Sequence, residues 1–233
     1  MNRMIAYKFT IMRLVVLTGG VGTGQEEAVK LLLKAKIAVI DQNLINQNLL
    51  KPSTKSSQVI MKNFDHLISP NGEFNQSVFF KEVLSVPSQR IKYEKLIRPY
   101  LIQEFMKKIF FLWIRNERVI VLLVPRFFEE YVGPYFIFNE ILTISSDKEH
   151  QFERLTKAGA SDPQSLINNE IPIQYKRSLS TTVIENNSEE ELETQINNLI
   201  NKWKTTKVPF YHFPTPLRFL FGICLFIFLI YII

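Results

Sequence analysis

The chain has 233 residues, of which 46% are hydrophobic and 21% charged, and its formal net charge is +6. This length and composition indicate a sizeable globular domain and exclude a disordered or fibrous chain. Its three histidines have no ligand spacing and its single cysteine cannot pair within the chain, so neither a metal cluster nor an intrachain disulfide is predicted. The basic excess suits an anionic ligand or an anionic membrane surface. Nucleic acid is not a predicted partner, because the chain has no basic stripe interleaved with aromatics and no recognisable binding module.

The first segment, residues 1–12, is a short N-terminal extension. It contains Arg3 and Lys8, and no acidic residue precedes Glu26. Such a segment is typical either of a short amphipathic targeting sequence or of a chain terminus before the first strand. Residues 13–207 would then form the folded domain.

The stretch Leu14–Glu27, LVVLTGGVGTGQEE, predicts a buried strand, a glycine-rich turn and the first turn of a helix. Four residues separate Gly19 from Gly24, the spacing of a phosphate-binding loop whose backbone N–H groups converge on an anion. In such a loop the next residues are Lys, which reaches the phosphates, and Ser or Thr, which binds Mg²⁺. Here they are Gln25 and Glu26.

These two replacements change the charge of the loop. Gln25 donates a hydrogen bond but carries no charge, and Glu26 places a carboxylate where a neutral metal ligand is expected. Two unit charges about 4 Å apart, at an effective dielectric near 20, repel by roughly 4 kcal/mol, which would weaken phosphate binding by about three orders of magnitude. A Glu at a helix start also stabilises the helix by roughly 0.3–1 kcal/mol. We therefore expect the helix to form and phosphate binding to be impaired.

The pattern after the loop alternates helices with short apolar strands. A helix is predicted over Ala28–Lys36, and a buried parallel strand over Ile37–Asp41. Residues 42–118 have a largely helical pattern, broken near three prolines of which the last is Pro99. The later elements are strands at Val119–Val124, Asn139–Ser145 and Thr182–Glu185, and helices at Asp147–Lys157 and Ser188–Trp203, the second helix being capped by Ser188. This alternation is typical of a doubly wound α/β nucleotide-binding fold.

Taken in order, these landmarks resemble the dephospho-CoA kinase family, whose members phosphorylate the ribose 3′-hydroxyl of dephospho-CoA with ATP. The motifs that carry the resemblance are LTGGVGTG, VIDQN, NGEF near Asn71, VP…FFE at Val124–Glu129, QFERL at Gln151–Leu155, IP…K at Ile171–Lys176 and VIEN at Val183–Asn186. The resemblance implies an α/β fold of the P-loop nucleoside-kinase type, with three α/β/α layers around a parallel sheet. It also implies a helical substrate lobe inserted at about 42–118 and a small lid at about 147–178. The apolar end of the chain resembles the animal branch of the family, the dephospho-CoA kinase domain-containing proteins.

The resemblance further implies a set of nucleotide-binding residues. They are the loop, its continuation into the helix and three later polar residues: Gly19, Gly20, Val21, Gly22, Thr23, Gly24, Gln25, Glu26, Arg154, Lys176 and Asn186. Arg154 and Lys176 would meet phosphates and Asn186 would meet adenine, although each is as consistent with a solvated or capping role. ATP and Mg²⁺ are the implied cofactors of an active member, dephospho-CoA or CoA is the other implied ligand, and no resident metal is predicted.

Several polar positions of the family are replaced in this chain. Asp41 is present, but the second Asp of its segment, near the reacting hydroxyl and the metal, is Asn43. The Asp that ends the third strand is Leu123, the His before the lobe proline is Arg98, and the Gln of the lid helix is Glu170. The predicted catalytic positions are Asp41 and three degenerate ones, Gln25, Glu26 and Asn43.

Two hypotheses about function follow. Phosphoryl transfer depends on positioning and on charge neutralisation by Lys and Mg²⁺, and losing one preorganised group costs about 2.7–4 kcal/mol. The first hypothesis is therefore a degenerate member, a pseudokinase, that binds nucleotide or CoA weakly or serves as a scaffold. The second is an active kinase in which Glu26 takes the metal, and Lys176 or Arg126 replaces the missing lysine.

The C-terminal part of the chain is apolar. Residues 208–218 contain prolines and predict a linker, and Phe219–Ile233, FLFGICLFIFLIYII, has no charged residue. At 1.5 Å per residue this run spans about 22 Å of a hydrocarbon core about 30 Å thick. Because it is apolar on all faces and follows several lysines, it predicts a single-pass membrane-anchor helix with the domain in the cytosol, in the mitochondrial or the ER membrane. Docking of this run on the domain and an oligomer contact are the alternatives.

Overall fold

A computed structural model describes residues 12–52, 54–64, 75, 79–84, 86–130 and 135–206. Its centre is a parallel sheet with the strand order β2-β3-β1-β4-β5. The strands are β1 Arg13–Gly19, β2 Ala38–Asp41, β3 Val119–Leu123, β4 Glu140–Ser145 and β5 Thr182–Glu185. Leu17 of β1 is in register with Leu123 and with Leu142, so the strands end along one edge of the sheet. The predicted α/β class with a parallel sheet is confirmed.

Helices connect the strands at positions close to those predicted. They are α1 Gln25–Lys34, α2 Gln42–Leu49, α3 Lys55–Asn63, α4 Pro87–Ile114, α5 Phe127–Glu130, α6 Lys148–Lys157, α7 Pro163–Asn168, α8 Ile173–Leu179 and α9 Glu189–Thr205, with a π-helix at Phe79–Leu84 and a 3-10 helix at Tyr135–Ile137. The side chain of Ser188 accepts a hydrogen bond from the Glu191 N–H at 3.2 Å, which confirms the predicted cap of the last helix.

Helix α4 corrects one prediction, because it continues through Pro99 instead of breaking there. A proline inside a helix lacks an N–H donor and costs roughly 3 kcal/mol. On either side of it, Ile97, Leu101 and Phe105 are buried on one helix face, and each such side chain stabilises the fold by about 1.5–3 kcal/mol. Burial of this face therefore outweighs the penalty of the proline.

The strands present alternate side chains to two hydrophobic cores. Leu14 and Val16 of β1 pack with residues of α2, α3 and α4, whereas Val15 and Leu17 pack with residues of α1 and α9. This alternation is expected of a buried strand, whose successive side chains point to opposite faces. The helices between β2 and β3 consequently lie on the opposite face of the sheet from the helix that follows the loop.

Two predicted segments lie outside the described residues. One is the N-terminal extension up to residue 11, and the other comprises the linker at 208–218 and the hydrophobic helix at 219–233. Among the residues described, no helix is both long and apolar enough to cross a bilayer. Helix α4 has 28 residues, but Arg90, Glu94 and Lys107 are among its charged side chains. The predicted localisation to the mitochondrial or ER membrane was therefore wrong for the part of the chain that the structure describes, which has no membrane-spanning helix.

Candidate functional site

The loop from Gly19 to Gly24 joins β1 to α1 at the edge where the strands end. Two of its glycines have steric reasons to be glycine. Gly24 has a φ of 93°, and a Cβ on it would lie 1.9 Å from the Asn186 Nδ2 atom. A Cβ on Gly19 would lie 2.6 Å from the Ile144 carbonyl oxygen. The loop is therefore packed tightly against the ends of β4 and β5, and a larger residue at either position would have to displace its neighbours.

At the start of α1, the Gln25 side chain turns back onto the loop. Its Nε2 donates to the Gly20 carbonyl at 3.1 Å, and its Oε1 is buried without a hydrogen-bond partner. Thr23 Oγ1 donates to the same carbonyl at 2.8 Å. Glu26 is exposed in the first helical turn, where its charge favours the helix dipole. Neither position provides a cation beside the loop.

Lys176, on α8, brings a cation to the loop from elsewhere in the chain. Its side chain is fully buried, and its Nζ lies 2.9 Å from the Gly19 carbonyl oxygen. The same Nζ lies 2.7 Å from Glu129 Oε1 and 3.3 Å from Glu170 Oε2. One ammonium thus faces two carboxylates, so this group of three side chains carries a net charge of −1 when all are ionised.

Glu170, between α7 and α8, touches the loop directly. Its Oε2 accepts a hydrogen bond from the Val21 backbone N–H at 2.9 Å. Burial raises the pKa of the Glu170 carboxyl, while Lys176 and the Val21 N–H oppose that rise and Glu129 adds to it. Because the net effect is a rise of the pKa, the ionised form of Glu170 is less stable in this site than in water, even though an ammonium lies beside it.

Arg154 and Asn186 also contact the loop through their side chains. Arg154 donates from Nη1 to the Gly22 carbonyl at 3.3 Å and from Nη2 to the Asn186 carbonyl at 2.8 Å. Asn186 donates from Nδ2 to the Thr23 carbonyl at 2.8 Å, and its Oδ1 is buried without a hydrogen-bond partner. The structure therefore brings Arg154, Lys176 and Asn186 together, and each contacts loop backbone.

Gln151 and Glu170 also contact the loop, although the sequence did not predict either of them as a site residue. Gln151 Nε2 donates to the Val21 carbonyl at 2.8 Å, on the other side of the residue whose N–H binds Glu170. Gln151 stands in the QFERL motif three residues before Arg154, so one helical turn places both on the same face of α6. Glu170 had only its unusual charge, at a position where the family has Gln, as a signal in the sequence.

The predicted acceptor side of the site lies at the same sheet edge. Asp41 ends β2, and its carboxylate accepts a hydrogen bond from the Asn43 N–H at 2.7 Å, as the cap of α2. Asn43 is exposed, and Leu123 at the end of β3 is buried. Because β3 lies between β2 and β1, Asp41 and the loop share an edge without being on neighbouring strands.

A buried polar cluster lies between α2, α4 and α5. Gln42 Nε2 donates to the Glu130 carboxyl, and Arg98 Nη2 donates to the Glu130 backbone carbonyl at 3.0 Å. Burial raises the pKa of the Glu130 carboxyl to about 7. Tyr93, Glu94 and Arg98 line a small cavity beside it, so Arg98, at the family's His position, reaches this cluster.

The residues at the loop do not fit the usual Mg²⁺ site of such a loop. The hydroxyl ligand is replaced by Glu26, which is exposed. In the described ranges, no group of three or more His, Cys, Asp or Glu side chains is arranged to hold a metal ion. The Asp41 carboxylate is already engaged as a helix cap.

Comparison with known proteins assigns the chain to a family. The profile described as dephospho-CoA kinase matches residues 13–191, which include the sheet and the loop. The chain belongs to the dephospho-CoA kinase family. The resemblance identified from the sequence motifs is thereby confirmed.

Similar proteins include other members of the dephospho-CoA kinase family. The dephospho-CoA kinase domain-containing protein of Danio rerio is 28% identical over 196 residues, which cover 82% of this chain and 85% of that protein. The dephospho-CoA kinase of Oryza sativa subsp. japonica is 28% identical over 179 residues, 75% of this chain and 77% of that one.

Two solved structures share the fold. The crystal structure of TT1252 from Thermus thermophilus has a TM-score of 0.72 at 18% identity, covering 84% of this chain and 98% of that one. The dephospho-CoA kinase from Campylobacter jejuni has a TM-score of 0.60 at 16% identity, covering 81% and 96%.

Proposed function

We propose that this chain is a catalytically impaired member of the dephospho-CoA kinase family. In this proposal it binds adenine nucleotide and dephospho-CoA or CoA weakly, and it acts through binding or as a scaffold rather than through rapid phosphoryl transfer. The helices of residues 42–118 would form the lobe that receives the CoA ligand, and residues 147–178 would form a lid over the nucleotide.

The observation that carries the proposal is the state of Gln25. At the position of the loop lysine, its amide is bonded back to the Gly20 carbonyl and offers no charge to a phosphate. A loop lysine neutralises the charge that develops on the transferred group. Loss of one such preorganised group commonly lowers the rate by about 10²–10³.

The acceptor side supports the same proposal. Asn43 and Leu123 stand where the family resemblance implies carboxylates, so neither can accept the proton of the attacking hydroxyl. The remaining acid, Asp41, is bonded to the Asn43 N–H. Effects of residues that act as a unit are not additive, so the combined loss is not the product of the separate losses.

The alternative is an active kinase that transfers the ATP γ-phosphate to the ribose 3′-hydroxyl of dephospho-CoA. Its supporting observation is Lys176, a buried ammonium 2.9 Å from the Gly19 carbonyl of the loop. A cation there would substitute for the missing loop lysine. We favour the impaired form because Glu129 and Glu170 already neutralise this ammonium.

Turnover separates the two functions. Purified full-length protein is assayed with ATP, Mg²⁺ and dephospho-CoA, with ADP formation coupled to NADH oxidation. We expect a rate at least 10² below the 1–100 s⁻¹ that is typical of kinases. A rate within that range would establish the active enzyme and end the proposal of impairment.

Ligand binding is measured independently of turnover. Thermal unfolding is followed with ATP, CoA and dephospho-CoA, because a ligand at 100 times its Kd stabilises the protein by about 2.7 kcal/mol. A shift with at least one of them is expected. No shift with any of the three, at millimolar concentration, would contradict the proposed binding role.

The loop itself is tested by the double substitution Gln25→Lys with Glu26→Ser. Calorimetry should show tighter ATP binding, whereas turnover should stay low because Asn43 is unchanged. A matched control, Gln58→Lys with Glu193→Ser, makes the same charge change at two exposed positions outside the loop. Full activity from the loop changes alone would mean that the acceptor-side replacements are harmless.

A further inference from the structure

The backbone of Val21, in the middle of the phosphate-binding loop, is held from both sides. Glu170 Oε2 accepts its N–H at 2.9 Å, and Gln151 Nε2 donates to its carbonyl at 2.8 Å. Both partners are more than 125 residues away in the sequence, on the segment that runs from α6 to α8. The folded segment thus places a carboxylate directly on a loop N–H.

That carboxylate has the chemistry of the ligand that such a loop binds. Loops of this kind recognise phosphate oxygens through backbone N–H groups, with a lysine ammonium nearby. Glu170 Oε2 meets one loop N–H and lies 3.3 Å from the Lys176 ammonium. Its oxygen therefore satisfies the same two kinds of donor that a phosphate oxygen would use.

We propose that the Glu170 carboxylate is an internal competitor for phosphate, which must leave the loop before a nucleotide triphosphate group can bind. This inference rests on the proposed function only in taking the loop as a nucleotide-phosphate site. It adds a regulatory contact to that site, and this contact depends on the negative charge of Glu170 and on its position at the Val21 N–H.

Three features allow the carboxylate to leave. When it withdraws, Lys176 keeps Glu129 Oε1 at 2.7 Å, so the buried ammonium stays paired and regains the donor capacity that Glu170 had used. Glu170 also lies in the connection between α7 and α8, outside regular helix. Burial raises the pKa of this carboxyl, so its ionised form gains solvation when it moves into water.

The test uses inorganic triphosphate as the probe, because it carries phosphate charge without adenine or CoA. Calorimetry without Mg²⁺ compares the full-length wild type with Glu170→Gln, which keeps an oxygen for the Val21 N–H but removes the charge. Glu170→Gln should bind triphosphate at least tenfold more tightly. Glu104→Gln, the same change on helix α4, is the matched control and should stay within twofold of wild type.

A second variant keeps the test decisive if Glu170→Gln does not fold. Glu170→Ala removes the carboxylate together with its hydrogen bond, and thermal unfolding establishes that each variant is folded. If both folded variants bind triphosphate no more tightly than wild type, or if none of the proteins binds it, the proposed competition is wrong.

The outcome is separable from the proposed function. Rapid turnover of dephospho-CoA by the wild type would end the proposed impairment, while the ratio of the two triphosphate affinities would still decide the role of Glu170. Conversely, if wild type and Glu170→Gln bind triphosphate equally well and the wild type turns over slowly, the proposed competition by Glu170 is wrong and the proposed impairment still holds.

Discussion

Replacement of Lys176 by Met is the substitution whose effect is best determined by the structure. Its ammonium is the cation shared by Glu129 and Glu170, and the three side chains are 0%, 8% and 15% exposed. Met has nearly the length of the lysine stem and can occupy its space. The substitution therefore removes the charge without opening a large cavity.

The expected loss is about 3–4 kcal/mol of the free energy of unfolding. Removing one partner of a buried ion pair costs about 3–5 kcal/mol, because the remaining charge is left uncompensated. The lost hydrogen bond to the Gly19 carbonyl adds about 0.5–1.5 kcal/mol. Proton uptake by Glu170, whose pKa is already raised by burial, offsets part of the sum, since the variant can neutralise this carboxyl.

Urea unfolding at pH 7, followed by circular dichroism, measures this loss. Lys157→Met is the control: its Nζ lies 3.9 Å from Glu153 Oε2, and these side chains are 80% and 56% exposed, so a change below about 0.5 kcal/mol is expected. Adding Glu129→Gln to Lys176→Met should recover part of the stability, because it removes one orphaned charge. A loss below 1 kcal/mol for Lys176→Met would refute the reasoning that this ammonium holds the two carboxylates.

Three further predictions concern stability. Gly24 has a φ of 93°, and an added Cβ would lie 1.9 Å from Asn186 Nδ2, so Gly24→Ala should lower the free energy of unfolding in urea by more than about 2 kcal/mol. Gly159 has a φ of 80° but open space around it, so the control Gly159→Ala should lower that free energy by only about 1 kcal/mol. Ser188→Ala should lose about 1 kcal/mol through loss of the helix cap, and no change in the unfolding midpoint would contradict that role. Burial raises the pKa of Glu130 from 4.5 to about 7. Between these two pH values the native state keeps a proton that the unfolded state has lost. The free energy of unfolding of the wild type should therefore fall as pH rises across this window, by up to about 3 kcal/mol. Glu130→Gln should remove that part of the decline when unfolding is measured at pH 5 and 8, and identical slopes in both proteins would count against it.

Much of the architecture was predictable from local sequence. Buried parallel strands are short continuous apolar runs, and the spacing of Gly19 and Gly24 predicts a phosphate-binding turn between a strand and a helix. The family could be identified because its motifs recur in order along the chain, as the profile match over residues 13–191 confirms. The replacements Gln25 and Glu26 are visible in the sequence alone, because the motif defines the residue types expected there. Each strand, turn and motif used in these inferences is defined by neighbours within a few residues.

The tertiary structure decided which charges meet. Glu170 accepts the N–H of Val21, 149 residues earlier, and no periodic pattern in the sequence indicates which way the Glu170 side chain will turn. The sequence leaves Lys176 open between a phosphate contact and a solvated or capping role, and only the fold places Glu129 and Glu170 around its ammonium. Pro99 lies within a continuous helix because distant core residues stabilise that helix on both sides of the proline. Local propensity determines strands, turns and caps, whereas the pairing of buried charges depends on the packing of the whole chain. Two opposite charges attract strongly only when the fold brings them into contact and removes them from water, and both conditions are met only in the final structure.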